Sequence, residues 1–129
     1  MKLLLDTHVV IWWLSAPERM SSKTLKAITA SETQVYLSAA VTWEMAIKAS
    51  LGRLELPKSP MALSRELIYA HGFLPLYIEH DHAARAAGLP QIHQDPFDRL
   101  LIAQAQSEKF TLVTADAKMK QYDVKIMKP

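Results

Sequence analysis

The sequence predicts an α/β fold, a three-layer α/β/α sandwich around a central, mainly parallel sheet of four to five short strands. Three observations lead there. Short continuous apolar runs, Leu3–Leu5 and Val35–Leu37 above all, read as strands buried on both faces. Segments of helical spacing separate one run from the next, which is the order of a sheet covered by helices on both sides. The punctuation also fits: Ser38, Asp95 and Asp116 stand where helices would start, and Gly52, Gly72 and Gly88 where they would stop.

Taken in order, Leu3–Leu5 is the first strand and ends at Asp6. Thr7–Leu14 reads as a helix that turns Val9, Val10, Trp12 and Trp13 inward and stops at Pro17. Ser21 or Ser22 caps a second helix over Lys23–Ser31, with Leu25 and Ile28 on its inner side. The strand Val35–Leu37 leads through Ser38 into a helix reaching about Leu51, which carries Glu44. Pro57 and Pro60 bound a loop, and Met61–Ala70 is the next helix. Phe73–Leu76 is a weak strand, demoted by Pro75 to an edge or a strand end. Asp81–Ala87 is a short helix.

Asp95-Pro96-Phe97-Asp98 then opens the most strongly marked helix, with Asp95 as N-cap, Pro96 at the first helical position and Asp98 at N3. Phe97, Leu100, Leu101 and Ala105 give it one apolar face. Thr111–Thr114 is a β-branched strand, Asp116 caps a short helix over Lys118–Gln121, and Val124–Ile126 is the last strand.

Composition bounds the function. The chain has 129 residues, the length of one domain spanning 1–129, with half its residues apolar and 22% charged. It has no cysteine, which excludes a disulfide framework, a thiolate metal site and a thiol nucleophile. Lys2, the apolar run that follows and Ser15-Ala16 imitate a signal peptide, but Asp6 and His8 interrupt the run. A charge in mid-span costs about 3 kcal/mol on insertion scales, so the reading is no signal peptide, no membrane span and a cytoplasmic protein.

The net charge is +2. That is a poor argument for a nucleic-acid partner on its own, but it changes if acids gather. With four of the 13 acids in one pocket, the 15 basic residues face only nine others, which suits a polyanionic substrate reaching an acidic, metal-filled centre.

Four acids stand where such a sheet would bring them together. Ligands of open α/β sheets collect outside the carboxyl ends of the strands. Asp6 and Asp116 follow two strand ends, Glu44 lies about a turn and a half into its helix, and Asp98 is in the first turn of its own. Singly, each has a plain structural explanation: Asp6 as a turn residue, Asp98 and Asp116 as helix-start residues, and Glu44 as the partner of Lys48 at i+4. Jointly, clustered carboxylates repel unless a cation neutralises them, and an all-oxygen set selects Mg²⁺ or Mn²⁺ over zinc. Such a centre activates water and clamps the oxygens around a phosphorus, so the chemistry suggested is metal-assisted phosphodiester hydrolysis.

With these residues in view, a family resemblance is plain. Leu4-Leu5-Asp6-Thr7-His8, the Ser38, Thr42-Trp43-Glu44 and Lys48 series, Asp95-Pro96-Phe97-Asp98-Arg99 with Leu101, Ala103, Gln104 and Ala105, and Thr114-Ala115-Asp116 resemble the PIN domain. The likeness is greatest to its VapC-type toxins and runs from about Lys2 to Ile126. It implies a metal-dependent ribonuclease whose acidic quartet falls on Asp6, Glu44, Asp98 and Asp116, holding Mg²⁺ or Mn²⁺. It further implies a water-holding hydroxyl at Thr114 and similarly at Thr7, an auxiliary place for Asp95, a homodimer, and silencing by a cognate antitoxin protein.

Lys48 and Arg99 stand beside the quartet as phosphate contacts or, preferably, as neutralising cations. Ile92 and Gln94 read as departures, at positions where relatives often carry His and Arg. The five histidines read as structural or surface residues, with His8 the exception because it adjoins Asp6. An aspartate-nucleophile phosphatase is disfavoured, because it needs a second Asp two residues after the first and His8 stands there. The remaining alternative is a PIN-like binding module without catalysis, acting through a protein or RNA partner, against which the intact quartet argues.

Overall fold

The computed structural model describes residues 1–129. The elements run β1 (Lys2–Leu5), α1 (Thr7–Ser15), α2 (Ser22–Thr29), β2 (Gln34–Ser38), α3 (Ala39–Ser50) and α4 (Pro60–Tyr69). They continue with β3 (Leu74–Leu76), α5 (His80–Gly88), α6 (Pro96–Glu108), β4 (Thr111–Val113) and β5 (Lys125–Met127). Single 3-10 turns occupy Pro17–Arg19 and Met119–Gln121. The expected alternation of strands and helices is present, and the expected short helix after Asp116 is the second of these turns.

All five strands are parallel, in the order β3-β2-β1-β4-β5. β1 is central and its Leu3, Leu4 and Leu5 are fully buried, which explains a run apolar on both faces. Pro75 lies in the edge strand β3, where a missing N–H is tolerated. The chain leaves β1 toward β2 and β3, then crosses back to β4 and β5. The order therefore reverses between β1 and β4, and a crevice opens outside their carboxyl ends. Asp6 follows one of those ends and Thr114 the other; Thr114 is followed closely by Asp116.

The core joins the strands to Val9 and Val10 of α1, Val41 and Met45 of α3, Leu67 of α4, and Leu101, Ile102 and Ala105 of α6. The tryptophans depart from expectation: Trp12 and Trp13 are only half-buried. α1 meets the sheet along Val9 and Val10, and the indoles spread over the rim, where polar partners are in reach. The Trp12 ring lies beneath the Arg19 guanidinium at 4.9 Å, and Trp13 Nε1 donates to His71 Nδ1 at 3.2 Å. No helix is long and apolar enough to cross a membrane.

Candidate active site

The four acids converge at the crevice, and helix-start chemistry is what aims two of them. Asp6 is the N-cap of α1: its Oδ1 accepts from Val9 N–H at 3.2 Å, while its Oδ2 accepts the hydroxyl of Thr114 from the end of β4. Asp116 divides its oxygens the same way. Oδ1 accepts from the backbone N–H groups of Lys118 (2.7 Å) and Met119 (3.2 Å), and Oδ2 faces His93. Capping and site membership are thus not alternatives. At Asp6 the two oxygens tie α1 to the end of β4, and at Asp116 one oxygen is held by backbone N–H groups while the other faces His93.

Asp95 takes the purely structural share: its Oδ1 accepts from Phe97 N–H (2.9 Å) and Asp98 N–H (3.1 Å), starting α6 and placing Asp98 in its first turn. Glu44 comes from α3, whose start at Ser38 is tied to α6. Ser38 Oγ accepts from Ala40 N–H at 3.0 Å and donates to Gln104 Oε1 at 2.6 Å, both Ser38 and Gln104 being fully buried. Glu44 is 3% exposed; its Oε1 accepts from Thr7 Oγ1 at 2.6 Å and its Oε2 pairs with Lys48. The hydroxyls of Thr7 and Thr114 each donate to a carboxylate, Thr7 to Glu44 and Thr114 to Asp6.

The electrostatics are those of like charges held together. Burial pushes Asp98 up to about 8, reinforced by the neighbouring carboxylates of Asp95, Glu44, Asp6 and Asp116. Burial also raises Asp6, opposed by the hydrogen bonds from Thr114 and Val9. At Asp116 burial acts upward, but the His93 hydrogen bond and the two backbone N–H groups outweigh it and hold this carboxyl below its usual range. The hydrogen bond to Glu44 raises Lys48 against its own burial, so the ammonium persists.

Two residues sit otherwise than the sequence suggested. His93, read as structural, is central: its Nε2 lies 2.9 Å from Asp98 Oδ2 and 3.1 Å from Asp116 Oδ2. Its Nδ1 accepts the backbone N–H of Asp95 at 3.2 Å, so in the neutral ring the proton is on Nε2, aimed at the two carboxylates. Proximity to Asp95 was the available signal.

Arg99 turns away from the acids. Its buried guanidinium donates to the carbonyls of Ala86, Leu89, Pro90 and His93 at 2.8 to 3.0 Å and reaches Tyr122 Oη at 3.4 Å. It therefore braces the loop that carries His93 and has no face left for phosphate. His82 is the buried structural histidine expected, and His8 is exposed.

The donor set fits a hard divalent cation. Ligand atoms of His93, Asp98 and Asp116 lie within 4.8 Å of one another, and the Asp6 and Glu44 carboxylates are close enough to help raise Asp98, which makes the surroundings oxygen-rich.

The PIN domain family model matches residues 3–125. The chain is 34% identical over 123 residues to Ribonuclease VapC22 of Mycobacterium tuberculosis, covering 93% of this chain and 91% of that one. Among solved structures, VapBC2 from Rickettsia felis bound to a promoter DNA fragment superposes with a TM-score of 0.72 at 14% identity, covering 98% of both chains. FitAcB from Neisseria gonorrhoeae gives 0.62 at 23% identity, covering 98% of this chain and 96% of that one. At those identities the superpositions speak for the fold. A parallel five-stranded sheet, acids at its switch point and a family match over nearly the whole sequence agree: this chain belongs to the PIN domain family.

Proposed function

We propose that this protein is a divalent-metal-dependent endoribonuclease that hydrolyses RNA phosphodiester bonds, the toxin of a toxin–antitoxin pair. The observation that carries the reading is the Asp98 carboxyl, raised to about 8 inside a pocket it shares with Asp6, Glu44 and Asp116. A protein has little structural use for such a pocket, whereas a nuclease needs one. The relatedness to a protein named a ribonuclease, over nine-tenths of both chains, supports RNA as substrate. The likeness in fold to a toxin–antitoxin complex from Klebsiella pneumoniae supports a cognate antitoxin as partner. A homodimer and a cytoplasmic location belong to the same reading.

In this mechanism Asp6, Glu44, Asp98 and Asp116 would hold Mg²⁺ or Mn²⁺, an ion that would supply neutralisation of the acids and water activation for phosphodiester hydrolysis. The chain's own residues do the rest. Thr114 and Val9 fix the Asp6 carboxylate, and Thr7 and Lys48 fix Glu44. His93 holds Asp98 and Asp116 at one nitrogen.

The test is cleavage of total cellular RNA with Mg²⁺ or Mn²⁺ and with chelator, beside the Asp98→Asn variant. Metal-dependent cutting that the variant lacks is expected. A wild-type protein that binds metal and RNA yet leaves RNA intact would replace the nuclease with a binding module.

A further inference from the structure

Beside the acid pocket lies a second feature of opposite charge. A cavity of about 500 Å³ runs along α1, between that helix, the turn that follows it and the loop after α3. It shares a wall with the acid pocket, because Thr7 and Lys48 both line it and both bond to Glu44. From Thr7 it extends past Trp12 to Ser15 and Arg19, about 12 Å along the helix at 1.5 Å per residue.

Arg19, Lys48, Arg53 and His8 line it, and no acid does; Glu18 and Glu55, near the arginines in sequence, are outside the lining. Neither arginine pairs with a carboxylate. Arg19 instead lies over the Trp12 ring at 4.9 Å, a cation–π contact. Unpaired arginines present forked donors suited to phosphate, and an aromatic ring suits a nucleobase.

We propose that this cavity is a nucleotide subsite, in which Arg19 and Arg53 hold a phosphate of single-stranded RNA next to the bond being cut, beside the Trp12 ring. The proposal rests on the nuclease reading and names how that nuclease grips its substrate. A polyanion entering an acidic centre needs cations along its path, and this trench supplies them one helix face away. A cytosolic acidic peptide would satisfy the arginines but would leave the Trp12 ring and the continuity with the acid pocket without a use.

The experiment measures binding of a fluorescein-labelled pool of short single-stranded RNA by anisotropy in chelator, across a salt series. Wild type is compared with Arg19→Ala, Arg53→Ala, the double variant, and Lys26→Ala on exposed α2 as control. The double variant is expected to bind about tenfold more weakly and to flatten the slope of log affinity against log salt by about 0.7, the value for one lost phosphate contact on a single strand. Mn²⁺ affinity by calorimetry is expected to stay at the wild-type value, as is RNA binding by Lys26→Ala.

If the variants bind and cut RNA as wild type does, the subsite is wrong and the nuclease reading stands. If polyglutamate depends on the two arginines while RNA does not, the trench is a protein-docking site and the proposal falls. Failure of the wild-type protein to bind or cut any RNA would overturn the nuclease reading, and the subsite with it.

Discussion

His93 and Asp98 meet at 2.9 Å, Nε2 to Oδ2, across a loop of four residues whose backbone also fixes the ring. Because Asp95 N–H occupies Nδ1, the proton on Nε2 is directed to the acids, and the same nitrogen reaches Asp116 at 3.1 Å. Groups that orient metal ligands in this way typically change metal affinity by about 10- to 100-fold when removed. His93→Ala is therefore expected to weaken Mn²⁺ binding by roughly tenfold or more in calorimetric titration while the fold survives. Long-range nitrogen–proton NMR should find Nδ1 bare and Nε2 protonated. Wild-type Mn²⁺ affinity in the variant would make His93 a bystander.

Asp98→Asn should separate activity from stability. It removes the carboxyl that burial and four neighbouring acids raise most, so cleavage should fall by more than about a hundredfold. Near pH 8 and without metal, the same variant should melt at or above the wild-type temperature, because a repelled charge has gone. A clear loss of stability there would show that Asp98 is needed for the fold.

The metal-free protein should lose stability as pH rises. Asp98 keeps its proton to about 8 when folded but only to its ordinary 3.8 when unfolded, so between those values the folded chain binds more protons. Stability then declines with rising pH across that window, and Asp6, also raised, acts in the same direction. Asp116 is shifted the other way, and its contribution is lost only below its ordinary range. Thermal melts in chelator should fall between about pH 5 and 8, and Mg²⁺ should flatten the trend by favouring the ionised form.

Arg99 should matter for folding before it matters for catalysis. Replacing it with Ala leaves the carbonyls of Ala86, Leu89 and His93 without their guanidinium partner around a buried site, while Pro90 keeps the Tyr122 hydroxyl. A loss of about 2–4 kcal/mol in urea unfolding is expected, given a penalty of ~1–3 kcal/mol for each buried group left unpaired and partial relaxation of the loop. Tyr122→Phe should cost less, removing a hydroxyl that accepts from His93 N–H at 2.8 Å and donates to Pro90.

Ser38→Ala removes a helix cap and the partner of a buried amide at once. About 1–2 kcal/mol of stability should be lost, since Ser38 Oγ serves both Ala40 N–H and Gln104 Oε1. The consequence for function is distinct: the bond ties the helix carrying Glu44 to the helix carrying Asp98. Metal affinity should fall with stability, by a factor smaller than for His93→Ala.

The sequence by itself determined the order of elements, the parallel sheet and the four acids, because each depends on local signals. Leu3–Leu5 can be read as a doubly buried strand from composition alone, and Asp95-Pro96 marks a helix start wherever it occurs. It did not determine which of two duties an acid performs. Asp6 caps α1 with one oxygen and meets the Thr114 hydroxyl with the other, and Asp116 caps with one and faces His93 with the other; those second contacts exist only once distant segments lie side by side.

Arg99 and His93 show what only the tertiary structure decided. They are six residues apart, an arginine and a histidine, and spacing points to the arginine as the site residue. The loop before α6 reverses that order. Its free carbonyls, left without strand or helix partners, draw the guanidinium inward, while the backbone N–H of Asp95 turns the imidazole toward the acids. Such assignments follow from where unsatisfied backbone groups fall in space, and spacing along the chain carries no record of that.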